Sequence, residues 1–358
     1  MTQPIVVIGG GPAGLEAARA IGDLGVPCVL VEARDRLGGN PDSASYSTIT
    51  LDRRTAREAL DTMIGAVTDH PYITVHLETE VVGRSGHAGT FQVSLQKTNH
   101  RNGSVGTAVD AAAIVIATGF DHFDPGRETQ MYGYYEFDDV ITLVDAERMF
   151  SEHRFVKPST GEPPKRVCFI QCVGSRDRRI GNEYCSKVCC GVASKQAIEI
   201  KQLLPDAKVW IFYIDMRMYG HWEEKIYWPA QEQYKVQYVR GIVTEILRKG
   251  DSLLIRGEDT TLGRPMEIPM DVVVLSVGMV PSTGTRHIAR ALEIPQDKYG
   301  FIDTPNVPLD PVSTGVEGIY VAGAAAGPKD LEDSVGMANM AAMRAVALAR
   351  RQSLVAAE

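Results

Sequence analysis

A strand-like run, Ile5-Val6-Val7-Ile8, meets Gly9-Gly10-Gly11-Pro12-Ala13-Gly14 and then a helix-like stretch from Leu15 to Leu24. No other feature of the chain restricts its fold as strongly. Gly9 permits a tight turn, Gly11 lets backbone amides come close to a pyrophosphate, and Gly14 allows the helix to lie against the strand, with the helix N-terminus facing the phosphates. Alone, G-x-G-x-x-G is a weak signal. Here a second buried strand, Cys28-Val29-Leu30-Val31, ends at Glu32, about twenty residues beyond the glycines, where a carboxylate accepts both hydroxyls of an adenosine ribose and disfavours a 2′-phosphate. Strand, glycines, helix, strand and acid in that order predict a dinucleotide-binding β-α-β unit.

Later segments bear on which dinucleotide it is. Gly38-Gly39 follows the acid. Alternating segments Thr74 to Leu77 and Phe91 to Leu95, with a turn signal at Asn102-Gly103, precede a continuous apolar strand from Ala111 to Ala117 that ends in Thr118-Gly119. Near the C-terminus a strand, Gly318 to Gly323, leads to Gly327-Pro328-Lys329-Asp330 and a helix of small residues from about Ser334. This order resembles two-dinucleotide-domain flavoproteins of the thioredoxin reductase and disulfide reductase type, in which a three-stranded meander precedes an Ala-Thr-Gly turn near the flavin. The resemblance implies FAD, with cofactor contacts at Gly9, Gly11, Pro12, Ala13, Gly14, Glu32, Ala33, Arg34, Gly38, Gly39, Val81, Val82, Ala117, Thr118, Gly119, Gly323, Ala324, Lys329 and Asp330. One position departs from the pattern. An aspartate commonly follows the glycine of the C-terminal motif, and Ala324 stands there, which leaves the ribityl contact to backbone amides.

The expected fold class is therefore α/β, with two Rossmann-like domains, the second inserted into the first. The FAD domain is expected at residues 1–150 and 280–358, and the insert at 151–279. The stretch from His153 to Pro164, rich in Pro, Gly and Ser, marks one cut, and Val280-Pro281-Ser282-Thr283-Gly284 marks the return. A chain of 358 residues accommodates two cores, and 44% apolar with 23% charged residues is ordinary globular composition. A net charge of -8 opposes a nucleic-acid partner. Met1-Thr2-Gln3-Pro4 runs directly into the first strand and no apolar run approaches a membrane span, so a soluble, cytoplasmic protein with no membrane partner is expected.

Within the insert, strands Val167 to Ile170 and Val209 to Ile214 flank a helix-like stretch from Ala193 to Leu204, the skeleton of a nicotinamide domain. Its phosphate loop is missing. In its place stand four of the six cysteines, Cys172, Cys185, Cys189 and Cys190. Four thiolates suit an iron–sulfur cluster. They also suit structural zinc, although the usual short C-x2-4-C knuckles are lacking, and disulfides would need an oxidising compartment. Cys28 and Cys168 sit inside apolar strands and read as buried small hydrophobes. The eight histidines show no ligand spacing. Arg217 is expected to pair with Asp215 or to border the cysteines. Tyr213, Tyr219, Trp222, Tyr227, Trp228 and Tyr234 suit an interface or ordinary core packing equally well. Arg350 and Arg351 are accounted for by the helix dipole.

Cys172-Val173-Gly174-Ser175-Arg176 and Tyr184-Cys185-Ser186-Lys187-Val188-Cys189-Cys190, together with Ala117-Thr118-Gly119-Phe120, Phe123-Asp124-Pro125, Asp215-Met216-Arg217 and Gly327-Pro328-Lys329-Asp330, resemble the core of the flavin-bearing, A-type subunits of heterodisulfide reductase. The resemblance spans nearly the whole chain. It implies a 4Fe-4S cluster on Cys172, Cys185, Cys189 and Cys190, and an electron-transfer role between flavin and iron–sulfur partners. Methanogen members carry ferredoxin-like segments and a cysteine-bearing stretch after the Gly-Gly pair, whereas residues Asn40 to Asp61 hold no cysteine. The compact form is most similar to the A-like proteins of sulfur-oxidising heterodisulfide reductase-like complexes. That similarity implies heterodisulfide reductase B-like and C-like partners and lipoate-bearing carrier proteins. A homodimer is expected, and Lys329 is expected to tune the flavin electrostatically. A stand-alone NAD(P)H-dependent disulfide or sulfur reductase and a zinc-binding scaffold are the alternatives.

Overall fold

The computed structural model describes residues 2–49, 52–98, 106–126 and 132–355. Its residues form two compact units, one of 1–43, 56–121 and 280–358, the other of 44–55 and 122–279. In chain order the first unit contributes β1 (Ile5–Ile8), α1 (Pro12–Asp23), β2 (Cys28–Val31), the short α2 (Gly39–Ser43), α3 (Ala56–Thr68), β3 (Ile73–His76), β4 (Thr79–Ser85), β5 (Phe91–Lys97), β6 (Thr107–Ala111) and β7 (Ala113–Ile116). The chain crosses to the second unit along β8 (Phe120–His122). That unit holds β9 (Val140–Thr142), α4 (Leu143–Ser151), β10 (Arg166–Val173), α5 (Cys189–Leu203), β11 (Lys208–Tyr213), α6 (Trp228–Glu232), β12 (Gln237–Lys249), β13 (Ser252–Asp259), β14 (Arg264–Met270) and β15 (Val272–Val277). The return runs through β16 (Met279–Pro281) to α7 (Thr283–Ala291), β17 (Ile319–Val321) and α8 (Leu331–Val355).

In the first unit a parallel sheet has the order β17-β7-β1-β2-β3, with Ile5 opposite Cys28 on one side and Ala113 on the other. Every residue of β1 and β7 is buried, as a parallel sheet covered on both faces requires. On one face Ile5 and Val7 pack with Leu15 and Ile21 of α1 and with Ala338, Ala341 and Ala345 of α8. Alanines at this spacing let α8 lie close to α1. On the other face Val6 and Ile8 meet Val81, Phe91, Val93 and Leu95 of the antiparallel meander β4-β5-β6, and Ile288 and Leu292 at α7. The expected meander is thus present, but of the two alternating segments only Phe91 to Leu95 lies in it, because Thr74 to Leu77 falls at β3, paired in parallel with β2; the turn signal at Asn102-Gly103 lies outside the described residues. Arg350 does more than answer the helix dipole: its guanidinium donates to Leu24 O, 2.7 Å away, at the end of α1.

The second unit carries a seven-stranded sheet, β14-β13-β12-β11-β10-β15-β9. Strands β12, β11, β10, β15 and β9 run parallel, and β13 and β14 extend the edge as an antiparallel hairpin. Helices α4 and α5 share one core with Phe169, Val209 and Val274. The change of unit falls at 121/122 rather than near residue 150 because β9 pairs with β15, Val140 opposite Val273 and Thr142 opposite Leu275. Helix α4 then starts in register from a capping box, Thr142 accepting from Asp145 N and the Asp145 carboxylate accepting from Thr142 N. The last segment of the first unit starts at Val280. Residues 44–55 belong to the second unit although both flanks belong to the first, and nothing in the local sequence signals it. No helix among the described residues is long and apolar enough to cross a membrane.

Candidate functional site

The first unit gathers the glycine motifs at the C-terminal ends of its parallel strands. Pro12 occupies the first turn of α1, and no side chain caps the helix start at Gly11, so first-turn amides remain open to an anion. A Cβ on Gly14 would stand 1.7 Å from Gly9 O, and one on Gly39, whose φ is +64°, would stand 2.7 Å from Gly11 Cα. The two glycine loops therefore touch through bare backbone. Glu32, 7% exposed, is fixed by two amides, Gly10 N to Oε2 at 2.6 Å and Arg34 N to Oε1 at 2.9 Å. A carboxylate offers about four acceptor positions, so acceptor capacity for ribose hydroxyls remains. Arg34 also reaches Gly39 O at 3.2 Å, tying acid and glycine pair together, while Ala33 is exposed beside them.

The Ala117-Thr118-Gly119 turn is clamped by the start of α7. Ser282 Oγ donates to Thr118 O at 3.0 Å, Thr118 and Thr285 hydroxyls meet at 2.7 Å, and Thr285 Oγ1 donates to Gly119 O at 3.3 Å. Ser282 is also the N-cap of α7. Gly323 lies against α1, its Cβ position 2.8 Å from Ala13 Cβ, and Ala324 is buried beside it. Asp330 accepts from Asp333 N at 2.7 Å at the start of α8, and half-buried Lys329 folds back over Gly327. Val81 lies in the core with Phe91, whereas Val82 is 38% exposed. Bare-backbone loops that any side chain would fill, an open helix start and a buried acid together fit a dinucleotide.

In the second unit the four cysteines lie on the path from β10 to α5. Strand β10 loses register with β15 between Ile170 and Val173, and Cys172 turns there with a φ of +64°. Arg176 and Lys187 are also left-handed, at +57° and +64°. Each such non-glycine residue costs of order 1–3 kcal/mol, and residues of this kind collect at functional sites. The loop is fastened at several points. Arg176 N donates to Tyr184 O at 2.8 Å, Asn182 Nδ2 to Gly174 O at 2.9 Å, Tyr184 OH to Met279 O at 2.8 Å, and Met279 N to Ser186 Oγ at 2.9 Å.

Donors converge on the sulfurs. Lys187 N donates to Cys185 Sγ at 3.3 Å, Arg217 N to Cys190 Sγ at 3.5 Å, and the Arg176 guanidinium stands 4.0 Å from Cys172 Sγ. Burial and the neighbouring Cys190 push the Cys172 thiol up to about 11. Cys190 is brought down to about 7 by the Cys189 S–H that donates to it, by Arg217 N–H and by the Arg176 and Arg217 cations, while Cys189 rises as its partner. Cys189 feels all three of the other thiols, so the four form one electrostatic group. Among the described residues, no three His, Cys, Asp or Glu side chains converge closely enough to hold a single metal ion. Both amide atoms of buried Gln171 and the hydroxyls of Ser175 and Ser276 have no partner. Four thiols with amide donors on sulfur, beside buried polar atoms still seeking a partner, fit a thiolate-bound cluster in their chemistry. Cys28 and Cys168 are buried, as expected, and burial alone raises their thiols.

Arg217 borders the cysteines through its backbone, and the ionic partners of Asp215 are Arg176 at 2.7 Å and Arg240 at 3.7 Å. Of the aromatic run, Trp222, Tyr227 and Tyr234 pack on the core of the second unit, while Tyr219 and Trp228 are 62% and 47% exposed. Sequence reasoning missed a polar cluster on α5. Lys195 Nζ donates to Glu147 Oε1 at 2.6 Å and to Thr48 O at 3.0 Å; Ser47 donates through N and Oγ to Glu147, both at 2.8 Å; Thr48 Oγ1 donates to Glu199 at 3.2 Å. The only available signal was the pair Lys195 and Glu199, four apart on one helix.

A model of the pyridine nucleotide-disulphide oxidoreductase family matches residues 3–347. The A-type subunit of the H(2):CoB-CoM heterodisulfide,ferredoxin reductase of Methanothermobacter thermautotrophicus is 32% identical, over 95% of this chain and 63% of that protein. The A-type iron-sulfur subunit of the CoB--CoM heterodisulfide reductase of Methanocaldococcus jannaschii is also 32% identical, over 94% of this chain and 63% of its own length. The chain thus spans less than two thirds of the relatives it matches. Among solved structures, thioredoxin reductase of T. acidophilum superposes with a TM-score of 0.62 at 18% identity, covering 96% of this chain and 98% of that one. Thioredoxin reductase of Lactococcus lactis gives 0.63 at 18% identity, covering 98% and 99%. Both establish likeness of fold.

Proposed function

Because the chain belongs to the pyridine nucleotide-disulphide oxidoreductase family, and relatives along most of its length are A-type subunits of heterodisulfide reductases, we propose that it is an FAD- and 4Fe-4S-containing electron-transfer subunit. The first unit, 1–121 and 280–358 apart from 44–55, holds FAD through Gly9, Gly11, Gly14, Glu32, Gly39, Ala117 and Gly323. The second holds the cluster through Cys172, Cys185, Cys189 and Cys190. When bound, FAD exchanges one or two electrons and the cluster one at a time, which makes their pairing a converter between the two regimes. The chain's own part is to hold both in place. Glu32 and the open start of α1 orient ribose and pyrophosphate, and the amides of Lys187 and Arg217 stabilise negative charge on sulfur.

The observation that carries this proposal is the placement of four thiols along the passage from the end of β10 to the start of α5, the position a phosphate-binding glycine loop takes in a nicotinamide domain. Partners resembling the B-type and C-type subunits of heterodisulfide reductase, with lipoate-bearing carriers, and a role in cytoplasmic sulfur-compound oxidation complete the proposal, as does a homodimer. Anaerobic purification followed by iron and flavin quantification tests it, with about four irons and one flavin per chain expected. Zinc without iron would establish the scaffold alternative, and rapid flavin bleaching by NADPH or NADH alone the stand-alone reductase. Light scattering showing only monomer removes the homodimer.

A further inference from the structure

The guanidinium of Arg176 occupies a singular position. Its side chain is 18% exposed; Nη1 lies 4.0 Å from Cys172 Sγ and Nη2 donates to Asp215 Oδ2 at 2.7 Å. Two residues beyond Asp215, Arg217 N donates to Cys190 Sγ at 3.5 Å, and Asp215 O faces the same sulfur at 3.8 Å. One planar side chain therefore connects the cysteine at the end of β10 to the turn that touches the cysteine at the start of α5. Its backbone is held left-handed at +57° and anchored by Arg176 N to Tyr184 O at 2.8 Å, so the fold bears a strain that aims this cation at sulfur. Arg217 differs, since it meets Cys190 through a backbone amide that any residue supplies.

We propose that Arg176 is a positioning residue that sets the reduction potential of the cysteine-bound centre, the charge beside Cys172 raising that potential. This rests on the cluster assignment made above. One electron arriving from reduced flavin and later leaving to a protein acceptor makes the thiolate-bound centre more negative by one charge and returns it. A fixed, poorly solvated cation stabilises the more negative form more than the less negative one. Asp215 offsets part of that charge and holds the fork in place, and Arg240, at 3.7 Å from the Asp215 carboxylate, in turn offsets Asp215.

The test compares the full chain with Arg176→Gln and Arg176→Lys, each purified without oxygen, by iron content and by redox titration followed through the electron paramagnetic resonance of the reduced centre. Arg176→Gln is expected to keep its iron and to titrate at lower potential than the unaltered chain, and Arg176→Lys to titrate close to it. A midpoint unchanged in Arg176→Gln overturns the proposal, and so does an equal lowering in both variants, which would assign the effect to shape. If Arg176→Gln loses its iron, Arg176→Lys decides: iron retained at the unaltered midpoint supports the charge role, and iron lost or the midpoint lowered overturns it. Absence of iron from the unaltered chain would instead defeat the cluster assignment itself.

Discussion

Lys195, on the helix that begins with Cys189 and Cys190, forms an ion pair with Glu147 of α4, Nζ to Oε1 2.6 Å, with side chains 7% and 5% exposed. A second carboxylate, Glu199, lies 4.0 Å from the same ammonium. The two acids respond oppositely. Burial opposes the charge on Glu147, but Lys195, Gln196 and the Ser47 amide bring it below its ordinary 4.5, whereas burial and the neighbouring Glu147 raise Glu199. Replacing Lys195 by Met leaves Glu147 buried without its counter-ion. The expected loss is about 3–5 kcal/mol, read as a lowered denaturation midpoint at pH 7.

The same site has a signed pH dependence. Glu147, depressed in the folded state, contributes stability above its unfolded value of 4.5 that is lost as pH falls through the lower folded value. Glu199, raised, contributes stability below 4.5 that is lost as pH rises through its folded value. Glu199→Gln is therefore expected to be more stable than the unaltered chain at pH 7, with the difference vanishing as pH approaches 4.5. Thermal melts across that range read it, and a constant difference would contradict the assignment.

The two glycine loops separate fold from binding. Gly14→Ala places a methyl 1.7 Å from Gly9 O and is expected to cost about 3 kcal/mol or more through overpacking. Gly11→Ala meets only Gly39 Cα, at 3.4 Å, so the flavin-free melting temperature should hold within a few degrees while bound flavin falls by tenfold or more. Absorbance after gel filtration measures the flavin, and a Gly11→Ala protein that keeps it would remove Gly11 from the cradle.

Cysteine-to-serine changes sort ligands from core. Each of Cys172→Ser, Cys185→Ser, Cys189→Ser and Cys190→Ser is expected to lower iron per chain to less than half, while Cys28→Ser leaves iron unchanged in the folded fraction. Buried without a partner, the new hydroxyl at residue 28 is expected to cost about 1–3 kcal/mol. Iron assays on the monodisperse fraction, beside thermal melts, distinguish the two groups.

Lys329 supplies a flavin test. It folds back over Gly327, close in sequence to the Gly323-Ala324 turn, and on the proposed FAD assignment a cation there would favour a reduced, negatively charged flavin. Lys329→Ala is expected to lower the flavin midpoint potential, measured by dye-equilibrated reduction. An unaltered potential would end the electrostatic role.

The elements legible in the sequence are those whose cause is local. A glycine where a Cβ would strike backbone, as at Gly14, and a Pro in the first turn of α1 are requirements of the peptide itself, so β1, α1, β2 and Glu32 could be read directly. The burial of Cys28 and Cys168 was legible from the apolar strands that contain them. The change of unit at residue 121 was not, because the pairing of Val140 with Val273 spans a separation that no short pattern records.

Residue chemistry alone determined that a nucleotide cradle and four neighbouring thiols exist in this chain. Tertiary structure decided what surrounds them. It put Ser47 and Thr48 against Lys195, Glu147 and Glu199, turned Cys172 and Arg176 left-handed without glycine, and brought Arg176 and Asp215 together across 39 positions. Backbone permissiveness is a property of single residues, whereas a buried charge is tolerated only beside a partner that the folded chain delivers.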